Sequence, residues 1–117
     1  MRDTGIDALA ASVGTVHGFY ATQPKLDFDR IEKIKELTGL PLVMHGGSGI
    51  SAEDTQRAIR CGIRKINYFS YMSNAGVRAV KELLAEKDVK YFHDLAGAAV
   101  DGMEKDVLSA MGMFALE

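Results

Sequence analysis

The sequence predicts an α/β fold made of parallel βα units, and three observations support this class. Short apolar runs alternate three times with amphipathic stretches, and a further amphipathic stretch closes the chain. Glycine-rich loops follow two of the apolar runs, in the position where parallel α/β folds place their ligand sites. The first apolar run is almost without polar residues, as in a strand that is covered on both faces. Because crossover helices join parallel strands, this alternation indicates a parallel sheet.

The three strands are predicted from short apolar runs that end at turn or helix signals. The first covers Ala8–Val16, after a polar lead-in over residues 1–7. The second covers Pro41–His45 and the third Ile63–Tyr68. A sheet of only three parallel strands buries its faces poorly, so contact with further elements is expected.

The first helix has clear signals at both ends. Its apolar residues recur with helical spacing, which predicts a helix over Phe28–Thr38. Asp27 and Asp29 are the candidate N-cap residues, and Gly39 is the expected C-terminal stop.

The second helix is predicted over Ala52–Cys61, after the glycine-rich loop. Ser51 is followed three residues later by Asp54, which is a capping-box pattern, and Gly62 is the expected C-cap. The glycines of residues 46–49 therefore lie in a strand-to-helix loop.

Two longer helices are predicted over Ala75–Glu86 and Leu95–Met113. No linker or low-complexity segment interrupts the chain, so residues 1–117 are expected to form one structural unit. A complete (β/α)₈ barrel needs about 250 residues. The unit is therefore either a small open α/β domain or the last part of a longer barrel.

Composition and charge exclude several kinds of partner. The hydrophobic content is 47%, the charged content is 26% and the formal net charge is −2, without clusters of Lys or Arg. This argues against a nucleic-acid or anionic-membrane surface, and no apolar run approaches the roughly 20 residues of a membrane span. Cys61 is the one cysteine, which fits a reducing, cytoplasmic compartment, and it is interpreted as a small core residue rather than a nucleophile.

His17, His45 and Asn67 lie at the carboxyl ends of the three predicted strands and are expected at one end of the sheet. Two imidazoles on neighbouring strands are a natural pair of ligands for a divalent metal such as zinc. A zinc site needs a third protein ligand, which this spacing does not supply, and His93 is expected away from the pair. The alternatives are loop histidines that bind backbone carbonyls and an asparagine that serves only as a turn residue.

The loop Gly46-Gly47-Ser48-Gly49 also allows two interpretations. Its backbone N–H groups, beside a positive helix end, could bind a phosphate group. It could equally be a tight loop without a ligand.

The chain as a whole resembles the C-terminal part of class II, metal-dependent ketose-bisphosphate aldolases. The match runs in order from about Asp7 to Leu84, and the closing stretch MEKDVLSAMGMFAL is similar to the last helix of that family. The other stretches that carry the resemblance are ALAASVGTVHGFY, PKLDFDRIEKIKELTGLPLVMHGGSGIS, DTQRAIRCGI and RKINYFSYMSNAGVRAV.

The resemblance implies that the chain holds about strands six to eight of a TIM (β/α)₈ barrel, with a C-terminal helix. It implies that His17 and His45 bind zinc and that Asn67 lies beside the enediolate of the substrate. It further implies a site for the phosphate and triose end of dihydroxyacetone phosphate. The residues of that phosphate site are Gly18, Gly46, Gly47, Ser48, Asn67 and Ser70.

The activity so implied is the reversible aldol cleavage of fructose 1,6-bisphosphate, a glycolytic reaction, with tagatose bisphosphate as the alternative substrate. The third zinc histidine and the catalytic aspartate of the family lie in earlier strands that this chain lacks. Phe69 also stands where many members have an acidic residue. The chain alone is therefore expected to be inactive, and the complete protein to be a cytoplasmic homo-oligomer. The alternatives are a non-catalytic phosphate- or metal-binding βα module and a unit that only assembles with another chain.

Overall fold

Three short parallel strands and four helices make up the part of the chain that the structure, a computed structural model, describes, residues 4–115. The strands form one sheet in the order β1-β2-β3, and both neighbouring pairs are parallel. The α/β class with parallel strands is therefore confirmed. The elements are β1 (Leu9–Ala10), α1 (Phe28–Thr38), β2 (Leu42–Met44), α2 (Ala52–Cys61), β3 (Ile63–Ile66), α3 (Ser70–Glu86) and α4 (Phe92–Phe114).

Helix α1 has the predicted bounds because its caps are local. The side chain of Asp27 accepts a hydrogen bond from the Arg30 N–H at 3.0 Å, so Asp27 and not Asp29 is the N-cap. Gly39 ends the helix in the left-handed conformation, with φ of 67°, and its N–H donates to the Lys35 carbonyl.

Helix α2 also has the predicted bounds. The Ser51 hydroxyl accepts from the Asp54 N–H at 3.1 Å, which satisfies one of the free donors of the first turn. At the other end Gly62 has φ of 131°, and its N–H donates to the carbonyls of Ala58 and Ile59. The residues that follow Ser48 therefore turn directly into a helix, as the sequence predicts.

The core lies between the sheet and the helices on one of its faces. Leu42 and Met44 of β2 are almost wholly buried, and they point to the same side because side chains alternate along a strand. The remaining buried apolar residues of this cluster are Val13, Leu26, Ile31, Ile50, Ala58 and Ile63.

The opposite face of the sheet is uncovered. Ala10, Val43 and Lys65 are neighbours across the three strands, and Ala10 and Lys65 are exposed. The radius of gyration is 17.7 Å, whereas a compact domain of this length has about 13 Å. The described residues thus form one covered sheet face and one open face. The expectation that both faces of the first strand are covered is wrong.

The predicted first strand, Ala8–Val16, is wrong in length, since only Leu9 and Ala10 pair with β2. Gly14 turns the chain with φ of 98°, and the Val13 carbonyl accepts from the Asp27 N–H before α1 instead of from a strand. The second and third strands also end earlier than predicted, at Met44 and Ile66. Pairing continues for one residue, because the Asn67 N–H donates to the Met44 carbonyl at 2.9 Å.

Helix α3 begins at Ser70 rather than at the predicted Ala75. The reason is a contact distant in sequence: the hydroxyl oxygen of Ser48 lies 3.3 Å from the N–H of Phe69 and 3.5 Å from that of Tyr71. A cap from another loop leaves no signal in the sequence around the helix. Helix α4 likewise starts earlier than predicted, at Phe92, and extends to Phe114.

Helices α3 and α4 form a close antiparallel pair. A Cβ atom on Gly102 would lie 2.7 Å from the Cβ of Ala79 and 2.8 Å from the Ala75 carbonyl oxygen, so glycine is needed where the helices meet. The far end of α4 is held by Gln56 of α2, whose Nε2 donates to the carbonyls of Met113 and Ala115. Within residues 4–115, no helix combines the length and the apolar character needed to cross a membrane.

Candidate functional site

Two histidines from neighbouring loops meet at the carboxyl end of the sheet. His45 directly follows β2, and His17 lies in the loop between β1 and α1. Nε2 of His17 is 3.2 Å from Nδ1 of His45, and both side chains are exposed to solvent. The rings meet edge to face, with an interplanar angle of 76°. The two histidines therefore meet at one end of the sheet, as expected.

The spacing of these two nitrogens fits a tetrahedral zinc site. With Zn–N bonds of about 2.0–2.1 Å, two ligand atoms lie about 3.3–3.4 Å apart. The observed 3.2 Å is close to that value. In residues 4–115 no group of three His, Cys, Asp or Glu side chains could hold a metal ion. The pair therefore suits zinc in the nature and spacing of its donors but needs at least one further protein ligand from outside these residues.

His93 lies apart from this pair, on α4. Its ring stacks on Tyr91 with 5.5 Å between centroids, and its Nε2 lies 3.5 Å from a carboxylate oxygen of Asp94. The expectation that His93 is not the third ligand agrees with this placement.

Asn67 contacts the His45 ring directly. Its Nδ2 lies 2.9 Å from Nδ1 and 3.2 Å from Nε2 of His45. Lys65 donates to Oδ1 of Asn67, so the amide oxygen is turned to the ammonium and the NH₂ group to the ring. Because a lone pair that accepts from an amide cannot also bind a metal, metal binding by Nδ1 requires this amide to move.

The glycine loop allows two stretches of backbone to approach closely. A Cβ atom on Gly46, whose φ is 69°, would lie 2.1 Å from the Val16 carbonyl oxygen, so only glycine fits. A Cβ on Gly47 would lie 2.4 Å from Cγ2 of Ile66. The N–H of Gly47 donates to the Asn67 carbonyl at 3.0 Å, and it is therefore not directed at a ligand. The contribution of Gly47 is the absence of a side chain.

Ser48 of the glycine loop lies beside the start of α3. Ser48 is 3% exposed and contacts two N–H groups at this helix end. The N-cap residue of α3 is Phe69, whose side chain makes no capping hydrogen bond. The first turn of a helix carries free N–H groups and a partial positive charge, which suit a phosphate group. Gly18, with φ of 95°, faces open space in which a ligand could lie.

These residues enclose a cavity of about 540 Å³, within the size range of small-molecule sites. The structure brings together seven of the eight residues singled out from the sequence, and Gly47 lies just behind the cavity wall. The seven are His17, Gly18, His45, Gly46, Ser48, Asn67 and Ser70. Their ligand-binding roles stay predictions.

Two residues near the site were missed in the sequence. Tyr20 donates a hydrogen bond to Gly46 on the other histidine loop, and Lys65 donates to Asn67, two residues further on. Two aromatic residues, Phe19 and Tyr20, follow the first His-Gly pair, but no spacing rule assigns either of them a role.

Cys61 lies outside this site. Its thiol is half-buried and donates to a carboxylate oxygen of Glu32 at 3.2 Å. Burial raises the pKa of the Cys61 thiol above its ordinary value, and the hydrogen bond and negative charge of Glu32 add to the effect. A thiol with a raised pKa is a poor nucleophile at neutral pH, in agreement with the interpretation as a packing residue.

The structure thus combines a parallel α/β fold with a histidine pair beside a helix N-terminus. A sequence profile of the class-II fructose-bisphosphate aldolases matches residues 1–117. The chain belongs to the class-II fructose-bisphosphate aldolase family. Membership implies lyase chemistry in the complete enzymes of the family.

Individual relatives agree with this assignment. A fructose-bisphosphate aldolase of Geobacillus stearothermophilus is 44% identical over 115 residues, which are 97% of this chain and 40% of that protein. The crystal structure of the YdjI aldolase from Escherichia coli K12 matches with a TM-score of 0.85 and 33% identity, over 97% of this chain and 42% of that one. A candidate fructose-1,6-bisphosphate aldolase from Coccidioides immitis matches with a TM-score of 0.85 and 28% identity, over 97% of this chain and 39% of that one. The chain thus spans about two fifths of the length of these relatives.

Proposed function

We propose that this chain is the C-terminal part of a zinc-dependent ketose-bisphosphate aldolase. The complete enzyme would cleave fructose 1,6-bisphosphate into dihydroxyacetone phosphate and glyceraldehyde 3-phosphate, and would run the reverse condensation. The observation that carries the proposal is the 3.2 Å separation of His17 Nε2 and His45 Nδ1, in a chain of the class II family.

The proposal includes the architecture of the complete protein. Residues 1–117 would form one partial domain, with β1, β2 and β3 as strands six to eight of a (β/α)₈ barrel. Barrel strands are covered by helices outside and by packed side chains inside. The covered face with Leu42 and Met44 and the open face with Ala10 and Lys65 support this arrangement.

The chemistry divides between the bound metal and the residues of this chain. A zinc ion held by His17 and His45 would act as a Lewis acid toward the ketone oxygen of the substrate. The amide NH₂ of Asn67, beside the His45 ring, would donate a hydrogen bond to an oxygen that gains negative charge in the reaction. The N–H groups at the start of α3 that do not donate to Ser48, such as that of Ser70, would bind the phosphate of the triose half.

The general base would come from outside this chain. Cleavage requires a group that removes the proton of the C4 hydroxyl. Phe69, the N-cap residue of α3, is 66% exposed, and its side chain cannot accept a proton. The isolated chain is therefore expected to bind ligands without catalysis.

Substrate choice, location and assembly are further parts of the proposal. Tagatose bisphosphate is the alternative substrate, since the two sugars differ at C4, which lies toward the part of the site that this chain does not supply. A cytoplasmic location accords with one half-buried cysteine. Exposed apolar residues on α3 and α4, such as Val77 and Leu108, favour a homo-oligomer. A non-catalytic metal-binding βα module is the second candidate, because the described residues hold only two ligands.

A chimera tests the proposal. The N-terminal three fifths of the Geobacillus stearothermophilus relative would be joined to this chain at the matching position. Cleavage of fructose and tagatose 1,6-bisphosphate would then be measured in a coupled assay for the triose phosphates. We expect zinc-dependent cleavage that is lost in His17→Ala and His45→Ala.

His93→Ala is the matched control, since this histidine lies on α4 apart from the pair, and it should retain full activity. A folded, zinc-loaded chimera with no activity on either sugar would favour the non-catalytic module. Equal activity of the His17→Ala and parent chimeras would refute the assignment of His17 as a metal ligand.

A further inference from the structure

The hydroxyl group of Tyr20 bridges the two loops that carry the histidines. It accepts a hydrogen bond from the Val16 N–H at 3.1 Å and donates one to the Gly46 carbonyl at 2.8 Å. Val16 directly precedes His17, and Gly46 directly follows His45. One side chain therefore links the backbone next to one imidazole with the backbone next to the other.

The bridge uses the hydrogen-bonding capacity of a phenol in full. A neutral tyrosine has one hydrogen to donate and oxygen lone pairs that accept. The carbonyl of Gly46 can only accept and the N–H of Val16 can only donate, so the direction of both bonds is determined. No other protonation or rotamer of a hydroxyl at this point serves both partners.

The surrounding backbone is built for this contact. A Cβ on Gly46 would meet both the Val16 carbonyl oxygen at 2.1 Å and the Tyr20 hydroxyl at 3.3 Å. A Cβ on Gly49 would lie 3.1 Å from a ring carbon of Tyr20. The ring is thus seated between the two loops, with glycines on the side of the His45 loop, and is half-buried.

We propose that Tyr20 is a positioning residue, which holds His17 and His45 at the spacing that a divalent metal ion requires. This inference rests on the proposed function, since it takes the two histidines to be metal ligands. Among residues 4–115, the other hydrogen-bond contact between these two loops is the one between the imidazoles themselves. Metal–nitrogen bonds tolerate deviations of only about 0.2 Å, so a small separation of the loops lowers the affinity. Residues that orient metal ligands typically change metal affinity about 10- to 100-fold when they are replaced.

The test is a cobalt titration of the chimera described above, which supplies the further ligand that this chain lacks, monitored by the visible absorption of Co²⁺ bound to nitrogen ligands. Tyr20→Phe removes the hydroxyl and keeps the ring. We expect it to weaken Co²⁺ binding about tenfold. Gln56→Ala is the matched control, because Nε2 of Gln56 donates to the carbonyls of Met113 and Ala115 at the end of α4 and to neither histidine loop. It should lower stability and leave Co²⁺ affinity unchanged.

The outcomes separate this inference from the proposed function. If the parent chimera does not bind Co²⁺, or if its His17→Ala variant binds as well as the parent, the metal site is refuted and the role of Tyr20 with it. If the parent binds through His17 but Tyr20→Phe has the same affinity, only the role of Tyr20 is refuted. A loss of affinity in Gln56→Ala equal to that in Tyr20→Phe would mean that general loosening, not the bridge, controls the site.

Amide hydrogen exchange gives a second readout that needs no metal. The Val16 N–H should exchange slowly in the parent, although the Val16 side chain is 59% exposed, and faster in Tyr20→Phe. If Tyr20→Phe does not fold, the exchange rate of the Val16 amide in the parent tests the inference by itself. Free exchange of the Val16 amide in the folded parent would show that the bridge does not form and would overturn the inference.

Discussion

The hydroxyl of Tyr68 donates a hydrogen bond of 2.6 Å to a carboxylate oxygen of Asp106, across 38 positions of sequence. Tyr68 directly follows Asn67, and its ring meets the edge of Phe114 with 5.8 Å between centroids. The end of the third strand is therefore attached at two points to α4. The position of Asn67 depends in part on a helix that contributes no residue to the histidine pair.

This contact predicts a loss of stability at alkaline pH. Burial raises the pKa of Tyr68 above its ordinary value of about 10, and the hydrogen bond to Asp106 and its charge add to this. Because the folded state holds the neutral phenol, its stabilisation is complete below pH 10 and is lost as the pH rises further. Denaturant unfolding between pH 8 and 11 should show a steeper loss of stability for the parent than for Tyr68→Phe. Equal slopes would contradict the prediction.

Thr55→Val is expected to stabilise the chain. Thr55 is fully buried in α2, and its hydroxyl has no hydrogen-bond partner among residues 4–115. Valine has nearly the same shape without the polar atom, so the change should raise the free energy of unfolding by about 1 kcal/mol. Urea unfolding measures this directly. An unchanged or lower stability would show that the hydroxyl is satisfied, for example by an internal water.

Gly47→Ala is expected to weaken phosphate binding and to destabilise the chain. The new methyl group would lie 2.4 Å from Cγ2 of Ile66 and 3.1 Å from the Asn67 carbonyl oxygen, so the end of β3 must move. Overpacking of this kind costs about 1–3 kcal/mol. Gly97→Ala is the control, because its methyl group would meet nothing within 4 Å on α4 and should add up to about 1 kcal/mol. Calorimetry with inorganic phosphate should separate the two variants, and equal phosphate affinity would argue against a site beside this loop.

Ser48→Ala should fray the start of α3. The change removes the oxygen that the N–H groups of Phe69 and Tyr71 contact, and loss of a cap typically costs about 1 kcal/mol. Amide exchange at these two positions should accelerate, and the free energy of unfolding should fall. Ser109→Ala, at an exposed position of α4, is the matched control and should change neither. Unaltered exchange at Phe69 would mean that the first turn forms without this cap.

The isolated chain is expected to self-associate or to bind hydrophobic dyes. Several large apolar side chains are exposed, with Phe92 at 81%, Leu37 at 73% and Phe69 at 66%. Uncovered apolar surface and unpaired strand edges favour association. Gel filtration at several concentrations and dye fluorescence test this. A dye-silent monomer with one cooperative unfolding transition would identify the 117 residues as a self-sufficient domain.

Elements with local end signals could be predicted from the sequence. Asp27 and Gly39 delimit α1 with bonds inside one or two turns, and Ser51 and Gly62 do the same for α2, so both helices have the predicted bounds. The meeting of His17 and His45 could also be predicted, since it follows from parallel strands that end at one edge.

Features that depend on distant contacts could not be predicted. Strand β1 ends where its pairing with β2 ends, at Ala10. The apolar pattern continues beyond that point, because residues such as Val13 are buried in the core without being part of the strand. The start of α3 depends on Ser48, which lies 21 residues before Phe69. The Tyr20 bridge spans 26 residues to Gly46 and obeys no helical or strand period. The periodicity of apolar residues indicates which residues of one helix or strand share a face. It carries no information about these contacts, because they join different loops.

The open face of the sheet constrains whatever segment comes to lie over it. Lys65 points from that face and donates to Asn67. An ammonium group enclosed with only the neutral amide of Asn67 as its partner would still cost several kcal/mol, because its charge is not compensated. A segment that closes over Lys65 must therefore bring an oxygen acceptor to meet it. Lys65 thus sets a requirement on the sequence of any segment that covers the open face. In the design of chimeras, an acidic side chain opposite Lys65 is a practical criterion for choosing the relative that supplies the N-terminal part.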